Sequence, residues 1–532
     1  MTMSSSRIAD PETSPTATYA VDPAVARRLL RRVVAGPGAA TKTSSAPFTG
    51  LPIAVLPMST ADDVAVAATA ARAAQREWSR RPLAARARPF LALHDLVFDH
   101  QHELLDLIQI ESGKARAHAF EEVADVAIVA RHYARRASSY LRPRRRQGAF
   151  PLLSSAHELR HPKGVVGIIA PWNYPLSLAV TDAIPALIAG NAVVLKPDTQ
   201  TVLTALRALE LLTEAGVPAG LVQVVVGDGA VVGPAIVDTV DYVCFTGSTA
   251  TGRLVAEQAA RRLVGASLEL GGKNALYVAA DADLERAAEG AVRACFASAG
   301  QLCVSAERML LHEDIADAFL DLFLARVRGI RLGTALDYSA DCGSLVSQRQ
   351  LDVVTDHVDN ARSLGARVLA GGGPRPDVGP LFYEPTVLEG VTPSMACYGN
   401  ETFGPVVSVY RVSGDDEAVA RANEGDYGLN ASIWTREVAR GRRLAARIKA
   451  GTVNINEAYA AAWASVGAPM GGMRSSGLGR RHGAEGIRKY TEAQNVTAQR
   501  LVGFGAPLGL SAEQWSHTLT FALKAMKGAG VR

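Results

Sequence analysis

Four apolar runs that alternate with helical stretches constrain the fold of this chain more than any other feature. Val165–Ala170, Ala192–Leu195, Leu221–Val226 and Val240–Phe245 are dominated by Val, Ile, Leu, Ala and aromatic residues. Runs without strict polar alternation are strands buried on both faces, as in parallel sheets covered by helices. Between the second and third runs a helix is predicted from about Thr201 to Ala215, with Gly216 and Pro218 as its stop. The alternation predicts an α/β fold built from parallel βαβ units, open and doubly wound.

At 532 residues the chain exceeds the size at which one core stops growing, so at least two domains are expected. A net charge of +4 is small for this length. The one basic cluster, Arg142 with Arg144, Arg145 and Arg146, reads as a solvated loop, and no nucleic acid partner is expected. Five cysteines without a CxxC pair point to a reducing, cytoplasmic setting. No secretory signal pattern opens the chain, and no window of ~18 uncharged apolar residues predicts a membrane span.

Residues 1–44 are rich in Ser, Thr, Ala and Pro, and read as a mobile or loosely docked extension with a short Arg-rich amphipathic piece around Val25–Val34. Patterning begins at Thr60-x-x-Asp63, a capping box before an Ala-rich helix ending near Trp78. At the other end, 501–532 carries Trp515, Leu519, Phe521, Leu523 and Met526, and a docked helix is expected in preference to a membrane-facing one.

Two residues carry covalent chemistry. Asp283 caps a helix whose 3.6-residue spacing puts Cys295 on the core face, so Cys295 is packing. Cys303 lies beyond that helix, in Gly300-Gln301-Leu302-Cys303, where a loop can expose a thiol. Glu269 stands thirty-four positions earlier in Glu269-Leu270-Gly271-Gly272-Lys273. A thiol that attacks a carbonyl and a carboxylate that prepares water are the two parts a thioester mechanism needs.

Other motifs end the predicted strands. In Pro171-Trp172-Asn173-Tyr174-Pro175 the Asn amide can donate to an oxygen that becomes negative during attack. Lys196-Pro197-Asp198-Thr199 sets a lysine at a strand's carboxyl end, where it can bind a nucleotide ribose or phosphate. Phe245-Thr246-Gly247-Ser248-Thr249 opens a helix whose first N–H groups can cradle pyrophosphate, although the spacing is not GxGxxG. Glu401-Thr402-Phe403-Gly404-Pro405 supplies a carboxylate for ribose hydroxyls and a ring for a flat partner.

In this order the motifs resemble the aldehyde dehydrogenase superfamily over about residues 45–500, and among its members the actinobacterial NADP-dependent succinate-semialdehyde dehydrogenases. Ala192-Val193-Val194-Leu195-Lys196-Pro197-Asp198 and Ala468-Pro469-Met470-Gly471-Gly472-Met473 carry the closer likeness. The resemblance implies Cys303 as nucleophile, Asn173 and the Cys303 N–H as oxyanion donors, and Glu269 as the base for hydrolysis. It implies Trp172, Asn173, Lys196, Pro197, Asp198, Thr199, Gly247, Ser248, Leu270, Glu401 and Phe403 as cofactor contacts, and no metal. The fold it implies has a cofactor domain from 45–140 and 161–270 and a catalytic domain from 271–470. A bridging β element from 141–160 and 471–500 would make a homo-oligomer, dimer or tetramer, and a tail follows from 501–532.

Where many NAD-preferring relatives carry Glu, this chain has Thr199, which removes repulsion of a 2′-phosphate and favours NADP over NAD. Asp198 beside it works against that preference. Succinate semialdehyde is the implied substrate. However, the positions that carry substrate-pairing Arg in other such enzymes match Thr181 and Ala297, which cannot pair a carboxylate. Arg474 or polar groups from Asn456–Trp463 are the expected substitutes. Ser305 excludes a disulfide with Cys303 at that spacing. The alternatives are a dehydrogenase of uncharged aliphatic or aromatic aldehydes and a catalytically silent scaffold. A CoA-acylating enzyme is disfavoured because Glu269 is a water-activating base.

Overall fold

The computed structural model describes residues 21–148, 154–333, 335–499 and 505–530. It divides into two compact units, one of Met1–Tyr140 with Pro162–Tyr490 and one of Leu141–His161 with Thr491–Arg532.

The first unit contains the doubly wound sheet. Its strands are β1 (Val165–Ile169), β2 (Ala192–Lys196), β3 (Val222–Val224), β4 (Tyr242–Thr246) and β5 (Gly265–Glu269). They pair in parallel in the order β3-β2-β1-β4-β5. The strand order reverses between β1 and β4, and the crevice beyond the carboxyl ends at such a switch point is where ligands bind. Pro171–Tyr174 follows β1 and Gly247–Ser248 follows β4, so two of the motifs flank that crevice.

A second sheet in the same unit holds β6 (Asn274–Val278), β7 (Ala306–His312), β8 (Arg367–Ala370), β9 (Thr386–Glu389), β10 (Val406–Val412), β11 (Asn430–Trp434) and β12 (Thr452–Ile455). The order is β8-β9-β10-β7-β6-β11-β12, parallel except for β8 against β9. The helix Leu284–Phe296 covers it, and its Asp283 cap accepts from the Arg286 N–H. Cys295 on this helix is buried in the core beside Phe296 and Met309.

The structure departs from the sequence reading at four places. Residues 21–44 are not loosely attached: the helix Pro23–Leu30 buries Leu29, Arg28 pairs with Glu210 at 3.1 Å, and the Val34 N–H donates to Val224 O at the sheet edge. Residues 1–20 of the extension lie outside the described residues. The segment 471–500 divides at Tyr490. Gly477–Leu478 pairs antiparallel with the end of β5, so 471–490 extends the first sheet.

The second unit has a three-stranded sheet of Arg144–Gln147, Ser154–Pro162 and Thr491–Gln499. The arginines expected in a loop therefore lie partly in a strand, where Arg146 pairs with Glu158. The tail forms the helix Ala512–Gly528, closed by a Ser511/Gln514 capping box, but no residue of it is buried. A docked helix is therefore not what the described residues contain.

Candidate active site

Cys303 lies between the helix Leu284–Phe296 and β7 on a tightly specified turn. Ser298, Ala299 and Gly300 hold φ of 52°, 54° and 69° in succession. A Cβ at Gly300 would strike the Gly404 carbonyl, so only glycine fits there. Asn274, first in β6, donates to the carbonyl oxygens of Cys303 and Ser305 at 2.7 and 2.8 Å. Asn430 donates to Val304 O at 3.0 Å and takes its own N–H to Asn274 Oδ1. Two buried amides thus pin the loop from the neighbouring strands, and the thiol stays partly accessible.

Glu269 ends β5, just before the Gly271-Gly272 turn into β6. Its Oε1 is buried without a hydrogen-bond partner among the described residues. Burial pushes its pKa up to about 7, while Arg481, Lys489 and Arg480 act to lower it. The Cys303 thiol is pushed up to about 12, first by burial and then by the charges of Glu269 and Glu401. The thiol therefore lies within range of both carboxyl charges.

Asn173 joins them. One of its amide N–H groups donates to Gln301 O at 3.1 Å, two residues before the thiol. Its carbonyl accepts from Lys114 Nζ at 2.6 Å, and Lys114 also pairs with the fully buried Glu122. Glu122 in turn accepts from the N–H groups of Leu176 and Ser177, which fixes the start of the helix Pro175–Val180. Sequence reasoning missed Lys114 and Glu122, whose links to Asn173, Leu176 and Ser177 span fifty or more positions.

The glycine turn and Glu401 are coupled. Gly272 N–H donates to Glu401 Oε1 at 2.9 Å, and a Cβ at Gly271 would collide with that carboxyl. Burial, then Glu307, raises the Glu401 pKa to about 8. Glu307, another residue the sequence did not flag, accepts from the Thr402 and Phe403 N–H groups and pairs with Lys273. The ring of Phe403 meets Trp172 edge-on, with centroids 5.5 Å apart.

On the crevice side, Lys196 is buried at the end of β2, where burial lowers its pKa and its ammonium reaches only the Pro197 carbonyl at 3.4 Å. Lys42, also unflagged by sequence, adds a second positive charge that bears on Lys196. Asp198 turns its Oδ1 to the Gln200 N–H, and Thr199 is half-buried. Ser248 caps the 13-residue helix Thr249–Arg261 through the Thr251 N–H. Gly247 has no room for a side chain beside Phe245, and Leu270 packs on Gly252 of the same helix.

Residues 35–496 match the description "Aldehyde dehydrogenase family". The chain belongs to the aldehyde dehydrogenase family. It is 52% identical over 479 residues to a Mycobacterium tuberculosis protein named "Putative succinate-semialdehyde dehydrogenase (NADP(+)) 2", covering 90% of this chain and 92% of that one. Betaine aldehyde dehydrogenase 1 of rice is 37% identical, with 85% and 90% covered. Among solved structures, a Burkholderia cenocepacia aldehyde dehydrogenase described as putative superposes with a TM-score of 0.83 at 38% identity, covering 89% and 96%. Betaine aldehyde dehydrogenase from Staphylococcus aureus, in complex with NAD+, gives 0.83 at 30%, with the same coverage.

Proposed function

We propose that this aldehyde dehydrogenase oxidises succinate semialdehyde to succinate with NADP, NAD being the alternative cofactor, through a thioester on Cys303. The observation that carries the reading is the convergence of Cys303, Glu269 and Asn173 from three separate segments. The names of the 52% identical relatives support the substrate and cofactor.

The crevice residues fit a dinucleotide. Lys196 is a buried ammonium without a bonded carboxylate among the described residues, Gly247 leaves the backbone approachable, and the Ser248-capped helix presents N–H groups to an anion. Lys196, with Lys42 beside it, supplies positive charge for an extra phosphate against the nearer charges of Asp198 and Asp228, and the turn of Asp198 toward Gln200 weakens its opposition. Trp172 and Phe403 supply aromatic walls, Glu401 a carboxylate, and Pro197, Thr199 and Leu270 the flanks. When bound, the nicotinamide accepts the hydride.

Cys303 adds to the aldehyde carbon while Asn173 and the Cys303 N–H hold the oxygen that becomes negative. The resulting hemithioacetal carbon is oxidised to a thioester. Glu269 then takes a proton from water, which attacks the thioester and frees the acid and the thiol. Burial and the charges of Glu269 and Glu401 favour the protonated thiol, so attack requires that its proton be lost to a nearby base. Glu269 and Glu401 are the titratable groups there.

The three-stranded second unit supports a homo-oligomer, dimer or tetramer, because its edge strand Thr491–Gln499 is exposed beyond the first residue. Among the described residues no helix is long and apolar enough to cross a membrane, and the cysteines are free, as a cytoplasmic setting requires.

A second reading, a dehydrogenase of uncharged aldehydes, is favoured by the apolar cluster, Leu302 included, against which Cys303, Trp463 and Met470 all pack. Initial rates decide between them: succinate semialdehyde against a neutral aldehyde of similar length, each with NADP and NAD. Preference for the charged substrate with NADP supports the proposal, and preference for the neutral one removes the substrate name.

A further inference from the structure

A carboxylated substrate in this pocket needs a cation, because an unpaired carboxylate loses its hydration without compensation. Thr181 and Ala297 supply none, and Arg474 is exposed, with its Nη1 on the carbonyls of Asn423 and Tyr427. A guanidinium nonetheless reaches Thr181 from three hundred residues away. Arg481 Nη2 donates to Thr181 Oγ1 at 2.7 Å and lies 3.1 Å from Asp182 Oδ2.

The backbone of Arg481 fixes its position beside the reacting groups. Its N–H and C=O bond to Met470 at 2.6 and 2.9 Å, and Met470 packs on the apolar cluster that also receives Cys303. The next residue, Gly471, borders the carboxyl of Glu269, where an added Cβ would stand 3.1 Å from Oε1. Thr181 lies on the helical stretch that begins just after Asn173, one turn past Ser177.

The side chain is enclosed, at 11% exposure, and not fully used. Nε and Nη1 have no hydrogen bond among the described residues. Asp182 does not neutralise the cluster alone, since it also takes Lys489 Nζ at 3.1 Å and the Tyr490 hydroxyl at 2.9 Å. Two cations therefore share one committed carboxylate. The other acidic groups facing the guanidinium are Asp125 and Glu269. Burial raises them to about 6 and about 7, and each leaves one oxygen without a partner.

We propose that Arg481 receives the distal carboxylate of a short carboxylated aldehyde whose carbonyl lies at Cys303, and so selects the substrate. This assignment rests on the succinate-semialdehyde reading above. It makes Arg481 a binding residue, distinct from the groups that carry the chemistry.

The test compares kcat/KM for succinate semialdehyde and for butanal in the full-length wild type, Arg481→Gln and Arg481→Lys. A charge-assisted hydrogen bond lost from a closed pocket predicts that Arg481→Gln lowers the preference for succinate semialdehyde roughly 100-fold, mostly through KM. Arg481→Lys, which keeps the charge, retains more of that preference, and a much smaller change for butanal reports that the variants are folded. A preference that survives Arg481→Gln, or a parallel fall for both aldehydes, overturns the assignment of Arg481. A wild type indifferent to the carboxylate overturns the substrate reading itself.

Discussion

The carboxyl of Glu269 and the thiol of Cys303 oppose each other's ionisation. The charge of Glu269 is the largest influence after burial in pushing the thiol up to about 12. A carboxyl whose charge works against ionisation of the neighbouring thiol suits two successive steps, one attacking a carbonyl and the other activating water.

Replacing Glu269 separates those steps. Glu269→Gln is expected to complete one fast turnover and then stall, with the steady rate down by a factor of 10²–10⁴, the usual worth of a general base. Rapid-mixing measurement of cofactor reduction gives both phases. An equal loss of burst and steady rate would argue that Glu269 is not the base.

The pH dependence follows from the same carboxyl. Only its ionised form takes a proton from water, and burial raises its pKa to about 7. Hydrolysis therefore rises as pH climbs through about 7 and is lost as pH falls below it. A kcat–pH profile limited by this step has that inflection, and Glu269→Gln flattens it.

The Lys273–Glu307 pair predicts a stability effect. Glu307→Gln leaves Lys273 buried without its counter-charge and weakens the anchor of Thr402 and Phe403. A loss of about 3–5 kcal/mol in unfolding free energy by denaturant titration is expected. The cofactor KM should rise with it. A loss under ~1 kcal/mol would show that this ion pair is not an anchor.

Cofactor choice predicts that Thr199→Glu, which places a carboxylate near the second phosphate, shifts the NADP/NAD ratio of kcat/KM toward NAD by at least ~10-fold. That corresponds to ~1.4 kcal/mol of differential binding. An unchanged ratio would place the 2′-phosphate elsewhere.

Much of this was legible because local patterns cause it. The four uninterrupted apolar runs became β1 to β4 with ends displaced by no more than two residues, and the Thr60/Asp63 and Asp283 caps formed as read. The thiol, the carboxyl and Asn173 could be chosen because turns mark them. Lys114, Glu307, Lys42 and Arg481 could not, since each acts through a partner far along the chain and looks locally like any surface charge. The ends of the chain misled for a related reason. Pro23–Leu30 docks through a partner near residue 210, and the apolar residues of Ala512–Gly528 pack into no core among the described residues.

The most direct measurement is intact-protein and peptide mass spectrometry of Glu269→Gln mixed with NADP and succinate semialdehyde. The account predicts a succinyl adduct that maps to Cys303, depends on the oxidised cofactor and is absent from Cys303→Ala. No adduct, or one on any other residue, would contradict it.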